Sequence, residues 1–385
     1  MARRCGVATS ESKHSSGTAV STTADSGYAD VDRDARRHHL GANPPVYRRP
    51  AAGHWGCSPH GCPLLARVKS LLVSKRKRKE DELVNRQQFQ AASHAFVAWA
   101  GKLHCNEDGH LAPVGPGSLA TTSIDLAISK SSKVPVAVRQ KVPFFRLTQV
   151  YSWRATGMTS GSFAETRAKL ENLSNGIIMA RNDAEALAAC EDIVRWGGDR
   201  NSNVGALPFL RSQASLLRYL NAVKSDLALQ TAVAQPAGEL PAILAMNSML
   251  TKVHALNSGD GLPIYDSRVA GAIATLVETW RCEDGQTAEP ISAALVFPAV
   301  GGGGQRRSVH ARYPGSIKPP TLHYSSEKKS KERAIRTAKE WASAKVRLGW
   351  LLSELLTNPS PSGIRSLEAC LFMAGYDCAG INRQP

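Results

Sequence analysis

The chain has few aromatic residues, no dense group of cysteines and no long apolar run. Phe, Trp and Tyr make up 6% of its 385 residues, and the eight cysteines are scattered along its length. This scattering is unlike the framework of a small disulfide-linked secreted domain. No apolar stretch approaches the length of a membrane-spanning helix, and no hydrophobic segment of a secretory signal follows Arg3 and Arg4. We therefore expect a cytoplasmic protein with no membrane partner.

Acidic residues are also too few to balance the basic ones. The chain carries 48 Lys and Arg against 32 Asp and Glu, a formal net charge of +16. Residues 1–80 contain 15 basic and 6 acidic residues, residues 301–385 contain 14 and 6, and the centre, 81–300, contains 19 and 20. Basic ends of this kind attract a polyanion, most commonly nucleic acid. Simple solubility is the alternative explanation.

The first 62 residues are rich in Ser, Thr, Ala, Arg, Gly and Pro and lack sustained periodicity, which predicts a disordered basic extension. A cluster within it has side chains that bind zinc: His54, Cys57, His60 and Cys62. No second pair follows at zinc-finger spacing, so we expect no metal there. The run KRKRK at 75–79 is suited to phosphate contact, or it is an ordinary solvated charge run.

Residues 63–385 are predicted to form a mostly α-helical domain with few short strands. Apolar residues recur at helical spacing in EDELVNRQQFQAASHAFVAWAGKL, FAETRAKLENLSNGIIMA, DAEALAACEDIVRWGG, LPFLRSQASLLRYLNAVKSDLALQ and KERAIRTAKEWASAKVRLGWLLSELLT. Strand-like patterns are scarce, and the best candidates are AALVFPAV and PTLHYS. The pattern is typical of a helical bundle.

The segment LTKVHALNSGDGLPIYDSRV, residues 250–269, places a lysine and an aspartate close to a turn. Asn247 and Ser248 offer capping side chains for a helix with Lys252 in its first turns, and NSGDG is suited to end that helix. Asp266 then stands at the N-cap position of a second helix. Taken alone, these features also fit a plain helix cap and a lysine whose amine reaches the surface.

Taken together, several segments resemble a known family. SMLTKV at 248–253 and PIYDSRVA at 263–270 are similar to the active-site region of the helix-hairpin-helix DNA glycosylases, especially the bacterial 8-oxoguanine-glycosylase-like proteins. VRWGGDRNSNVGAL at 194–207 and RSLEACLFMAGYD at 365–377 also resemble that group. The likeness covers about residues 80–380 and implies a helix-hairpin-helix glycosylase-like bundle with its active-site segment at 240–280.

The resemblance implies roles for both residues of this segment. Asp266 would stabilise the positive charge that develops on deoxyribose as an N-glycosidic bond breaks, and would orient the attacking water. Lys252 matches the lysine that in bifunctional members attacks C1′ as a neutral amine; otherwise it only contacts the extruded nucleotide. The target base must leave the stack, so the implied partner is bent double-stranded DNA. Neither a cofactor nor an obligate protein partner is implied.

Further DNA contacts are implied at two places. Arg268 is expected to contact backbone phosphate, or to be an ordinary surface charge. The stretch WGGDRN is expected to supply stacking and polar recognition beside the pocket, through Trp196, Asp199, Arg200 and Asn201. Core packing is the alternative for Trp196.

The chain departs from the family pattern at two points. The family hairpin usually carries a glycine-rich turn whose amides hold a phosphate, whereas ELPAILAMNSML keeps Leu240–Pro241 but lacks the glycines. We expect the amides of Ser248 and Met249 to take over that contact. Cys370 and Cys378 alone cannot supply the four ligands of the family's iron–sulfur variant, so no cluster is expected.

The excised base is left open by the resemblance. Glycosylase-like proteins of this divergent bacterial type include antiviral ones that remove bulky bases, such as glucosylated 5-hydroxymethylcytosine, from phage DNA and leave abasic sites that block replication. The length of the chain, and a hairpin that lacks the phosphate-binding glycines, favour this role over repair of oxidised guanine. The competing classes are a non-catalytic helical DNA-binding protein, with Asp266 as a mere cap, and a helical interaction scaffold with no salt-dependent DNA affinity.

Overall fold

The computed structural model describes residues 85–105, 111–113, 117–198, 205–230, 240–283, 291–298 and 330–383. The chain divides into two units, Met1–Cys62 and Pro63–Pro385, and every described residue belongs to the second. The predicted disordered extension, the His54–Cys62 cluster, the KRKRK run and the PTLHYS strand candidate lie outside the described residues.

The described part of the chain is mostly helical, with few short strands, as predicted. Its ten α-helices are α1 (Arg86–Ala100), α2 (Ser118–Thr121), α3 (Phe163–Ile178), α4 (Asp183–Gly197), α5 (Ala206–Arg211), α6 (Leu216–Asp226), α7 (Leu250–Ser258), α8 (Ser267–Glu283), α9 (Lys331–Glu354) and α10 (Pro361–Ala374). Short 3-10 helices cover Phe144–Val150, Ala293–Leu295 and Cys378–Gly380.

Two small antiparallel sheets accompany the helices. Strands β1 (Leu103–Cys105) and β2 (Leu111–Pro113) form the first. In the second, β3 (Thr122–Ile128) lies between β4 (Val138–Pro143) and β5 (Ile381–Arg383), so β4 is an edge strand. The inward face of β3 carries Ile124, Leu126 and Ile128, which are buried in the core, whereas Asp125 and Ala127 are exposed.

Local sequence sets the helix ends. Asn85 and Gln88 form a reciprocal capping box at the start of α1, since each side chain accepts a hydrogen bond from the other residue's backbone amide. Gly259, at φ 76°, ends α7 in the left-handed conformation that NSGDG predicts. The prediction of a strand at AALVFPAV is wrong for its described residues, 293–298. Ser292 accepts a hydrogen bond from the amide of Ala294 and starts a 3-10 turn there instead.

Helices α7 and α8 lie at the centre of the domain. All nine residues of α7 are buried, and so are residues 269–281 of α8. The C-terminus of α10 packs against the first turn of α8 so closely that a Cβ at Gly375 would collide with the carbonyl of Arg268. No helix within the described ranges is long and apolar enough to cross a membrane.

Candidate active site

Lys252 and Asp266 line the same cavity, which has a volume of about 170 Å³. Its walls come from the 151–153 segment, α3, the end of α4, α7, the segment leading into α8, the first turn of α8, and α10. Most of the wall is aromatic or apolar, as in most small-molecule pockets. The charged side chains that line it are Lys252, Asp266, Arg268, Arg365 and Glu368.

Asp266 caps helix α8 while only 7% exposed. Its Oδ1 accepts hydrogen bonds from the backbone amides of Arg268 (2.9 Å) and Val269 (3.0 Å). These amides and the positive end of the helix dipole stabilise a carboxylate. Among the described residues, Oδ2 has no hydrogen-bond partner. The predicted capping role is confirmed, and one carboxylate oxygen remains uncommitted at the cavity wall.

Lys252 is also 7% exposed, so it is not a lysine whose amine reaches the surface. Its Nζ donates to the carbonyl oxygen of Ser248 at 2.8 Å, and no ion pair joins it to Asp266. Burial lowers the pKa of Lys252 below the ordinary value of 10.5, against the opposing attraction of Asp266. The lowered pKa favours the neutral amine, which is the nucleophilic form.

Helix α9 fixes the spacing between these two residues. Trp341 Nε1 donates to the carbonyl of Tyr265 at 2.8 Å, and Lys345 Nζ donates to the carbonyl of Thr251 at 2.6 Å. Each acceptor directly precedes one of the two cavity residues in the sequence. The amide of Tyr265 also donates to Thr251 Oγ1 at 3.1 Å, which ties the two stretches directly together. Trp341 and Lys345 lie one turn apart on α9, and both are buried.

Glu368 is a cavity residue that the sequence analysis did not single out. It is 6% exposed, and its Oε2 accepts hydrogen bonds from the amide of Ile264 at 2.8 Å and from the guanidinium of Arg365. Its Oε1 has no hydrogen-bond partner within the described part of the chain. Burial raises the pKa of Glu368, against the lowering effect of Arg365. Oε1 can therefore accept a hydrogen bond from a ligand, or donate one when the carboxyl is protonated.

Arg268 is held among aromatic rings rather than at an open surface. Its guanidinium lies over Tyr376 (4.2 Å from the ring centroid), Phe372 (4.8 Å) and Trp153 (5.3 Å). Cation–π contacts of this kind are worth about 0.5–2 kcal/mol each, depending on exposure. Arg268 is half-buried, and no carboxylate of the described residues pairs with it. It is thus a fixed cation at the cavity wall.

The end of α4 supplies the wall next to Lys252. Trp196 is 5% exposed, and its Nε1 is buried without a hydrogen-bond partner. Gly197 leaves room for the lysine, since a Cβ there would lie 2.7 Å from Met249 Sδ and 2.9 Å from Lys252 Cδ. Trp196 is therefore both a core residue and a wall of the cavity.

Two other predicted binding residues, Ser248 and Met249, do not line this cavity. Ser248 is exposed outside it, and the amide of Met249 already donates to Asn247 Oδ1 at 2.9 Å. The Met249 amide is thus engaged in capping α7 and is not free for a phosphate. Three further predicted residues lie outside the described part of the chain: Asp199, Arg200 and Asn201.

One sequence signal points to the residues that were missed. Arg365, Glu368, Phe372 and Tyr376 follow one another at intervals of three, four and four residues. This spacing places them on one helical face, and charged residues in an otherwise apolar stripe mark a buried polar site. The aromatic residues of the 151–153 segment carry no comparable signal, because they lie outside any regular element.

Comparison of the chain with protein-family models, curated proteins and solved structures finds no match in any of the three. Function is therefore inferred from the cavity and from the resemblance of the segments quoted above.

Proposed function

We propose that the protein is a DNA N-glycosylase that removes a modified base extruded into this cavity. One observation carries the proposal. A buried carboxylate accepts hydrogen bonds from two helix amides through one oxygen, and its other oxygen has no hydrogen-bond partner among the described residues. It shares a cavity with a lysine whose pKa is lowered. Stabilising an oxocarbenium-like sugar needs such a carboxylate, and nucleophilic attack at C1′ needs such an amine.

In the hydrolytic route, the bond between C1′ and the base nitrogen breaks, and its electron pair leaves with the base, which takes up a proton. The carboxylate of Asp266 stabilises the positive charge left on the sugar. Water then adds to C1′ and gives its proton to that carboxylate, which leaves an abasic site.

In the alternative route, the neutral Nζ of Lys252 attacks C1′, displaces the base and forms an imine with the opened sugar. Elimination from that imine breaks the DNA strand. The two routes differ in whether strand scission needs added alkali.

The remaining cavity residues have roles in holding the nucleotide. The aromatic walls exclude water and offer stacking surface to a base. Arg268, a cation without a carboxylate partner among the described residues, is placed to contact the nucleotide's phosphate. Glu368 Oε1 and the Arg365 guanidinium supply an acceptor and donors for polar groups on the base.

The favoured substrate is glucosylated 5-hydroxymethylcytosine in phage DNA, whose excision leaves abasic sites that block phage replication. The Glu368–Arg365 pair supports this choice, because hexose hydroxyls need both donors and acceptors. Oxidised guanine is the alternative base. On either reading the protein acts in the bacterial cytoplasm on double-stranded DNA.

The test uses purified protein with duplex oligonucleotides that contain glucosylated 5-hydroxymethylcytosine, 8-oxoguanine or no modified base. Products are resolved on a denaturing gel with and without alkali, for the wild type, Asp266→Asn and Lys252→Ala. We expect alkali-dependent strand breaks at one modified base. The rate of their formation should fall at least about 100-fold in Asp266→Asn, because removing one group that stabilises charge in the transition state lowers the rate by that factor or more. Breaks without alkali that also require Lys252 indicate the imine route.

A non-catalytic DNA-binding protein is the second candidate, because Asp266 is an ordinary helix cap through Oδ1. It predicts tight, salt-sensitive DNA binding with no strand break on any of the substrates. Absence of breaks together with retained binding contradicts the glycosylase proposal.

A further inference from the structure

The central part of the sequence contains a strongly basic segment. Residues 126–164 contain no Asp or Glu, although residues 81–300 as a whole have nearly equal numbers of acidic and basic side chains. Six basic residues fall within this segment: Lys130, Lys133, Arg139, Lys141, Arg146 and Arg154. A charge excess of this size over so short a stretch creates a positive patch that a chain-wide count conceals.

The fold presents four of these six basic residues on one antiparallel hairpin. Strand β4 is the edge strand of its sheet, and it carries Arg139 and Lys141 exposed on one face. The exposed Asp125 of β3 lies directly opposite Lys141, so this face carries one acidic residue beside its basic ones. The loop between β3 and β4 adds exposed Lys130 and the half-buried Lys133. We call these four basic residues the hairpin surface. Val136, 67% exposed, lies in the same loop.

The hairpin surface adjoins the cavity. The carbonyl of Lys133 accepts a hydrogen bond from the amide of Arg154 at 2.7 Å, and Lys133 Nζ lies 5.3 Å from the ring centroid of Trp153. Trp153 lines the cavity and also contacts the guanidinium of Arg268, whose carbon lies 5.3 Å from the ring centroid. The positive patch therefore begins at the cavity wall.

We infer that the hairpin surface binds the sugar–phosphate backbone of duplex DNA beside the base that enters the cavity. This inference rests on the proposed function for its geometry. Basic residues on an edge strand also protect it from pairing with other chains, but that role does not require the loop to be basic as well. Val136 is the one large apolar side chain exposed on this hairpin, too little for insertion into a membrane.

The test measures duplex binding by fluorescence anisotropy over a range of salt concentrations, in the full-length chain. The variant Lys130→Ala/Arg139→Ala/Lys141→Ala removes three exposed charges. The control variant Arg181→Ala/Arg218→Ala/Lys224→Ala removes three charges from the helical part of the domain. We expect the hairpin variant to weaken binding at least about tenfold at near-physiological salt. We also expect the negative slope of log affinity against log salt to become shallower by about 3, with little change in the control.

An equal loss of affinity in the two variants contradicts the inference, because it indicates a general charge effect. So does hairpin-dependent binding to phosphatidylserine vesicles in the absence of duplex binding. The excision assay separates this inference from the proposed function. Hairpin-dependent binding without excision of any base overturns the glycosylase alone, whereas excision at the wild-type rate and affinity in the hairpin variant overturns the DNA surface alone.

Discussion

Asp266 has a structural and a chemical role that use different oxygens of one carboxylate. Oδ1 closes the first turn of α8, while Oδ2 has no hydrogen-bond partner among the described residues. The sequence alone supports both the cap and the catalytic interpretation, and the structure shows that the two do not exclude each other. A substitution that keeps the cap while removing the charge separates the roles.

Asp266→Asn meets that condition, because Asn is as good an N-cap as Asp, whereas Ala cannot accept the two amide hydrogen bonds. We expect Asp266→Ala to lower the free energy of unfolding by about 0.5–2 kcal/mol, and Asp266→Asn to lower it by less. Urea unfolding of the three proteins measures this difference. Equal destabilisation of the two variants contradicts the capping account and weakens any excision result obtained with Asp266→Asn.

At the residue scale, the sequence singled out Lys252 and Asp266 but not the neighbours with which they share the cavity. Both of these stand in motifs with a local signature, a lysine after a helix start and an aspartate at a cap. Glu368 and Trp153 belong to the site only because distant segments pack together, 102 residues after and 113 residues before Asp266 respectively. The burial of Lys252 likewise depends on tertiary packing, which periodicity within one helix does not reveal.

At the element scale, helix α9 holds the backbone next to both cavity residues in place. Its Trp341 and Lys345 bind the carbonyls that directly precede Asp266 and Lys252. Buried hydrogen bonds of this kind fix backbone position, because breaking one leaves a polar group without a partner. The distance between the two cavity residues therefore depends on a helix that contributes no side chain to the cavity wall.

Trp341→Phe tests this positioning role of α9, since it removes the indole N–H that binds the carbonyl of Tyr265 and keeps an aromatic ring. We expect single-turnover base excision to slow at least about tenfold while the duplex dissociation constant stays near the wild-type value, because small misplacements of reacting groups cost rate. Trp350→Phe is the matched control: it lies on the same helix, and its indole N–H donates to the carbonyl of Leu229 at 3.0 Å. Equal slowing in both variants points to general destabilisation of α9 instead.

The elements themselves were predictable where their hydrophobic period is long. Helices α1, α3, α4 and α9 fall in segments with clear helical spacing. The predicted helix LPFLRSQASLLRYLNAVKSDLALQ is two helices, α5 and α6, because the polar residues between Arg211 and Leu216 interrupt the apolar face. Strand β4 was missed because Val138–Pro143 carries three consecutive polar residues and shows no alternation. Strand β3 was also missed, although buried Ile124, Leu126 and Ile128 alternate there with exposed residues.

At the scale of the whole molecule, counts of basic and acidic residues over long ranges of sequence did not reveal the basic hairpin. The ends of the chain carry the larger excess of charge, but residues 1–84 and 299–329 lie outside the described residues. Among the described residues of 81–300, the 126–164 segment has 6 basic residues and no acidic one, and the remainder has 12 of each. The excess of positive charge within these described residues therefore lies in the segment next to the cavity.

The stability of the whole domain should depend on pH through Lys345. This side chain is 0% exposed, and burial lowers its pKa well below the ordinary value of 10.5, reinforced by Arg365. Between the folded and unfolded pKa values, the unfolded chain holds a proton that the folded chain lacks. The free energy of unfolding contributed by this residue therefore rises as pH rises toward 10.5.

Lys345→Met abolishes that titration while keeping a long unbranched side chain. We expect the wild type to gain stability relative to this variant between about pH 8 and about pH 10, measured by urea unfolding at both values. Lys130→Met, at an exposed position, is the control for the loss of a lysine as such. If the free energy of unfolding varies with pH in the same way in the wild type and in Lys345→Met, Lys345 titrates alike in the folded and unfolded chains. That result contradicts the prediction, because it means that the Lys345 amine contacts water rather than being buried against the backbone of α7.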